Sequence, residues 1–133
     1  MRIYLAGPMR DYVRNNFPAF DAAAAKLRAE GHEVFNPAER DRETYGDEIE
    51  FMNADQAKAI GFSINDALKA DLVWICDNAD CIALLPNWEH SPGAKTEWAL
   101  SVALRLYFWY LYPPINPPIN PPNDPPELPR AKQ

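Results

Sequence analysis

The stretch Leu84–Trp98, LLPNWEHSPGAKTEW, decides how the chain is read. It opens as the end of the short apolar run Cys81-Ile82-Ala83-Leu84-Leu85, which has strand length and is stopped by Pro86-Asn87. A polar loop and a helix start follow. Ser91 suits the N-cap, where its hydroxyl accepts a free backbone N–H of the first turn. Pro92 suits the first helical position, where its missing N–H costs nothing, and Gly93 lets another group approach the backbone. Glu97 then lies inside the helix with its side chain leaning back toward the N-terminus. A strand end, a helix N-terminus and a carboxylate thus meet, an arrangement suited to an anionic or sugar-like ligand. An ordinary βα connection with a solvent-facing Glu97 would have the same local sequence, so the rest of the chain has to decide.

At the N-terminus, Arg2–Ala6 (RIYLA) reads as a short buried strand ended by Gly7-Pro8. A helix is predicted from Phe17 toward Gly31, with Phe20, Ala23, Ala24 and Leu27 on its apolar face. His32–Asn36 (HEVFN) is a second strand, ended by Pro37. The connection 38–61 is acidic and long, with a short helix expected over Glu48–Ile60 and the character of a lid or binding loop. Ser63 with Asp66 resembles a capping box, and Ile64, Leu68, Leu72 and Ile75 predict a helix over Ile64–Asp77. Cys81–Leu85 is the third strand. The helix after Ser91 is expected to reach about Arg105 and to bury Ala94, Trp98, Val102 and Leu104. Leu106–Tyr112 (LYFWYLY) is β-prone and reads as a fourth strand.

The order β-α-β-loop-α-β-α-β predicts an α/β fold, a small flavodoxin-like (Rossmann-like) parallel sheet with helices on both faces. Ligands of such sheets bind at the carboxyl ends of the strands. Gly7-Pro8, Asn36-Pro37 and Pro86-Asn87 then share one edge, and Glu97 belongs to the helix that starts there. That convergence favours a functional site over a plain connection. The domain spans residues 1–112. Residues 113–133 form a proline-rich tail with nine prolines in PPINPPINPPNDPPELP, a polyproline-II sequence that reads as a spacer or a ligand for a proline-binding groove.

At 133 residues, 47% hydrophobic and 24% charged, the chain has the composition of one globular domain. A net charge of −6 argues against nucleic acid or an anionic membrane as the main partner. No apolar run reaches membrane-spanning length and the N-terminus lacks a signal pattern, so the expected location is the cytoplasm. Cys76 and Cys81 suggest no disulfide framework and, with His32 and His90, no zinc pattern; both thiols are expected to be buried. No metal and no cofactor is expected.

Three segments together resemble the nucleoside 2-deoxyribosyltransferase-like superfamily, in particular a branch common in phages and prophages. They are Ile3-Tyr4-Leu5-Ala6-Gly7-Pro8-Met9, Asn36-Pro37-Ala38-Glu39, and Leu85-Pro86-Asn87-Trp88-Glu89 with Ser91-Pro92-Gly93-Ala94 and Glu97. The similarity covers roughly residues 1–105. The S-x-G-A-x-x-E element and the opening Y-L-A-G-P are fairly specific as a pair and weak singly. The resemblance implies a domain, dimeric or larger, that cleaves N-glycosidic bonds of a small-molecule nucleoside or nucleotide without a cofactor.

By that resemblance Glu97 is the carboxylate nucleophile, near the helix start and facing solvent or ligand, and Tyr4, at the end of the first strand, orients it. Asp71 falls near an aspartate that contacts the base, although its spacing to Asp80 is one residue longer than the pattern, and a solvated helix residue is the competing reading. Asp80 is expected to cap the opposite edge of the sheet. Gly7, Met9, Arg10, Asn36, Ser91 and Gly93 are implied to surround the substrate. Ser91 and the Gly7-x-x-Arg10 turn match hydrolases of nucleoside 5′-monophosphates, with phosphate held by Ser91, the backbone near Gly93 and Arg10. The alternatives are a deoxyribosyltransferase on free nucleosides, a nucleotide-binding module without turnover, and an interaction protein acting through its tail.

Overall fold

The computed structural model describes residues 1–111, so the proline-rich tail and its two readings lie outside the described residues. Four parallel strands, β1 (Arg2–Ala6), β2 (Glu33–Phe35), β3 (Cys81–Leu84) and β4 (Tyr107–Tyr110), form one sheet in the order β2-β1-β3-β4. This is the predicted small flavodoxin-like α/β fold. From β1 the chain moves outward to β2 on one side and to β3 on the other. The crevice expected of such sheets therefore opens at the carboxyl ends of β1 and β3.

Alternation along the strands divides the core. Ile3, Leu5, Val34, Cys81, Ala83 and Trp109 face helix α1 (Phe17–Ala29), which contributes Phe17, Phe20, Ala24 and Leu27. Tyr4, Ala6, Ile82, Leu84, Phe108 and Tyr110 face α4 (Ile64–Asn78) and α5 (Pro92–Ala103). Period-2 alternation with both sets buried is what a parallel sheet covered on two sides requires.

The connection after β2 departs from expectation. Asn36-Pro37 does not merely end a strand; it opens helix α2 (Pro37–Tyr45), with Asn36 Oδ1 accepting the Ala38 N–H at 3.0 Å. An N-cap followed by Pro at the first helical position is the same signal as Ser91-Pro92. The single helix expected over 48–60 is instead a 3₁₀ turn, Asp47–Phe51, and a short helix α3 (Ala54–Ala59) opened by an Asn53–Gln56 capping box. Gly46, at φ 97°, ends α2 in a conformation that favours glycine.

Two helix faces also differ. On α4 the buried stripe is Ala67-Asp71-Ile75, and Ile64 is 54% exposed. On α5 it is Ala94-Glu97-Ser101, with Trp98 and Val102 half-buried; Leu104 lies past the helix end and is exposed. Each helix therefore places an acid within its buried stripe. Cys81 is buried as expected, its thiol pushed up to about 12 by burial, whereas Cys76 is exposed.

Gly7 sits where β1 and β3 diverge. A Cβ there would meet Leu85 Cβ at 2.8 Å, while the Leu85 N–H donates to Ala6 O at 2.9 Å. Leu85 Cβ is fixed to its backbone and cannot rotate away. Gly7→Ala is expected to cost about 1–3 kcal/mol by overpacking, read as a lower urea midpoint with an unchanged m-value.

Candidate active site

The acid cluster forms on the α4/α5 side of the sheet. Tyr4 is the middle residue of β1 rather than its last, and its hydroxyl donates to Glu97 Oε2 at 2.7 Å in a fully buried contact. Glu97 itself is 6% exposed, so the expectation of a solvated carboxylate at the helix start is overturned. It lies in the second turn of α5, and the side-chain lean that aims it backward brings it under β1 instead of out to water.

Asp71 joins the pair from α4. It is also buried, which removes the reading of a solvated helix residue. Burial first, and then the negative charge of Asp71, push the Glu97 carboxyl well above its ordinary range, while the Tyr4 hydrogen bond pulls the other way. Burial raises Asp71 to about 6, opposed by the nearby cation of Arg40. Burial likewise raises the Tyr4 phenol, reinforced by both carboxyls, so it stays a hydrogen-bond donor. Burial and mutual repulsion of the two acids both disfavour their double ionisation and favour a proton kept on the pair.

Arg40 and Asp41, both on α2, complete the cluster. The Arg40 guanidinium is 3.1 Å from Asp41 Oδ1 and 3.5 Å from Asp71 Oδ1. Phe35, the last residue of β2, stacks on Tyr4 at 5.4 Å, and Trp74 of α4 lies 5.0 Å from Phe35. Both rings are half-buried and form an aromatic shelf beside the acids. Arg40, Asp41, Phe35 and Trp74 were not legible as site residues. The one available signal was for Trp74, which stands three residues after Asp71, close to it along the helix surface.

The other expected residues fall into two groups. Ser91 caps α5, its Oγ accepting the Ala94 N–H at 3.2 Å, and Gly93 lies in that first turn. Arg10 is exposed in the turn after β1 and, among the described residues, has no ion-pair partner. These three remain at the carboxyl edge of the sheet. Asn36, Met9 and Gly7 have structural duties. Asn36 is buried, caps α2 and donates to Asp21 at 3.1 Å; Met9 packs on the α1 side; Gly7 makes room for Leu85. Asp80 caps the far edge as expected, accepting the Arg2 N–H at 2.8 Å.

The turn that carries Arg10 is held stiffly. Asp11, Arg14, Asn15 and Asn16 all have φ between 51° and 69°, a costly conformation for residues other than glycine. Asn15 Nδ2 donates to the carbonyls of Ile49, Glu50 and Met52, Asn16 donates to Pro8 O at 2.8 Å, and Arg14 pairs with Glu50 at 2.7 Å. These bonds offset the strain and hold the turn after β1 in place.

Residues 1–110 match the model of a domain of unknown function, DUF4406. The chain belongs to that family. The DUF4406 match runs from β1 to β4 and so contains the whole acid cluster. A comparison with curated proteins gave no match. Among the described residues of the domain, no group of three or more His, Cys, Asp or Glu side chains is placed to hold a metal ion, and no helix is long and apolar enough to cross a membrane.

Proposed function

We propose that the protein cleaves the N-glycosidic bond of a (deoxy)nucleoside 5′-monophosphate, with Glu97 as nucleophile. The observation that carries this reading is the buried Tyr4–Glu97 hydrogen bond of 2.7 Å beside a second acid, Asp71. Cleavage of such a bond needs a carboxylate at the anomeric carbon and a proton for the departing base. A proton held between Glu97 and Asp71 supplies both. On substrate binding the proton rests on Asp71. A Glu97 oxygen then bonds to C1′ as the C1′–N bond breaks, the bonding pair leaves with the base nitrogen, and Asp71 protonates the base. Water next attacks C1′, its proton returns to the acid pair, and the Glu97 ester bond breaks. A second base in place of water gives deoxyribosyl transfer by the same steps.

Phe35 and Trp74 would offer the departing base a stacking surface. The phosphate would lie at the carboxyl edge, near the α5 N-terminus, Ser91 and Arg10.

The test is release of free base from a panel of nucleosides and their 5′-monophosphates by the purified protein. No release from any member, with binding retained, would replace this reading with a nucleotide-binding module. Arg10→Ala is expected to lower kcat/KM on a monophosphate about ten- to a hundredfold, the loss of one charge-assisted hydrogen bond, while sparing the free nucleoside. Equal loss on both would remove the phosphate from the proposal.

A further inference from the structure

We infer that Arg40 is a positioning residue for the acid pair, shared between Asp41 on its own helix and Asp71 on α4. The inference rests on reading Asp71 and Glu97 as the reacting groups. One nitrogen, Arg40 Nη2, serves both aspartates, at 3.1 Å and 3.5 Å. All three side chains are mostly enclosed, with side-chain exposures of 18% for Arg40, 8% for Asp41 and 10% for Asp71. Arg40 Nε, Asp41 Oδ1 and Asp71 Oδ1 are buried without an aligned hydrogen bond. The guanidinium therefore stands between two carboxylates and is docked as a fork on neither, although a bidentate fork is the arrangement arginine favours.

This division has a consequence for the pair behind it. The charged and titratable groups around Arg40 are Asp41 from α2, Asp71 from α4, Glu97 from α5 and Tyr4 from β1. The cation favours the ionised form of all three acids. Burial holds Asp71 near 6 against the pull of Arg40, and the geometry that shares Arg40 with Asp41 limits that pull, leaving Asp71 able to take up a proton and pass it on. Full commitment of Arg40 to Asp71 would make Asp71 too poor a base; its loss would leave three carboxyls with no cation.

The two partners of Arg40 therefore have opposite effects. Carboxyl carbon NMR of the ligand-free full chain gives the titration midpoints of Asp71 and Glu97 without turnover. In Arg40→Met the Asp71 midpoint is expected to rise by about one to three pH units, the usual range for loss of an adjacent opposite charge. In Arg40→Lys it should stay closer to wild type. In Asp41→Asn it should fall, because Arg40 is released to Asp71 and a like charge is removed. If Arg40→Met does not fold, the sign in Asp41→Asn decides alone. Unchanged midpoints, or shifts in the same direction in Arg40→Met and Asp41→Asn, overturn the inference. Opposite shifts in a protein that releases no base would keep the electrostatic role and reject the glycosidase reading.

Discussion

Glu97→Gln is expected to lower kcat for base release by about a thousandfold or more, the scale of losing a nucleophile, in a protein that still folds. The amide keeps the length of the side chain and an oxygen to accept the Tyr4 hydroxyl. Since burial and the charge of Asp71 both favour the neutral form of Glu97, the neutral amide is the closer mimic of the two variants. The melting temperature should therefore move by a few degrees at most. Glu97→Ala is a poorer test. It leaves the buried Tyr4 hydroxyl without its acceptor, at about 1–3 kcal/mol, and opens a void beside the sheet. Glu97→Gln retaining a tenth of wild-type activity would exclude Glu97 as nucleophile, and loss of fold in that variant would make its role structural.

The second large effect concerns stability against pH. Burial raises Asp41 and Asp71 from 3.8 to about 6 in the folded protein, in each case against the pull of Arg40. An acid with a raised folded-state pKa binds more protons folded than unfolded between the two values. Stability therefore falls as pH rises through that window, here from about 4 to about 6, and the penalty persists above it. Two units correspond to about 3 kcal/mol per group. Glu97 is also raised, by burial and then by Asp71, so its contribution has the same sign. Asp80 and Glu39 act oppositely: the Arg2 backbone N–H lowers Asp80 and the Arg28 hydrogen bonds lower Glu39. Their stabilisation is lost only as pH drops below the usual carboxylate range, so the optimum should lie near pH 4–5.

Asp71→Asn removes one raised group and the charge that helps raise Glu97. We expect it to melt higher than wild type at pH 7, by about ten degrees for 3 kcal/mol in a domain of this size, and to be inactive. Gained stability with lost function is the pattern of a strained active site. A wild-type melting temperature that climbs steadily from pH 4 to pH 7, or an Asp71→Asn variant less stable than wild type at pH 7, would contradict the buried-acid account.

How much of this was written in the chain can be followed residue by residue. The strands Arg2–Ala6 and Cys81–Leu84, the helix from Phe17 and the cap at Ser91 follow from local rules. Alternation, helical spacing and capping chemistry act within a few residues, so sequence suffices. The parallel order then follows from the alternation of strands and helices. Asn36-Pro37 carried the same capping signal as Ser91-Pro92 and opens α2 just as Ser91-Pro92 opens α5.

The site was legible in its members but not in its environment. Tyr4, Asp71 and Glu97 could be named through a resemblance, and the fold brings them together. That Glu97 is dry could not be read, because a Glu in a helix is usually solvated and the stripes Ala94-Glu97-Ser101 and Ala67-Asp71-Ile75 become buried faces only when α5 packs on β1 and β3 and α4 packs on α5. Arg40 lies far from Asp71 and Glu97 in sequence, and Phe35 and Trp74 meet only across the β2 edge. The elements and their order depend on short-range periodicity and are therefore local properties of the chain. Which acids lose water, which cation they share and hence how they titrate depend on packing, because burial and charge proximity join groups far apart in the chain.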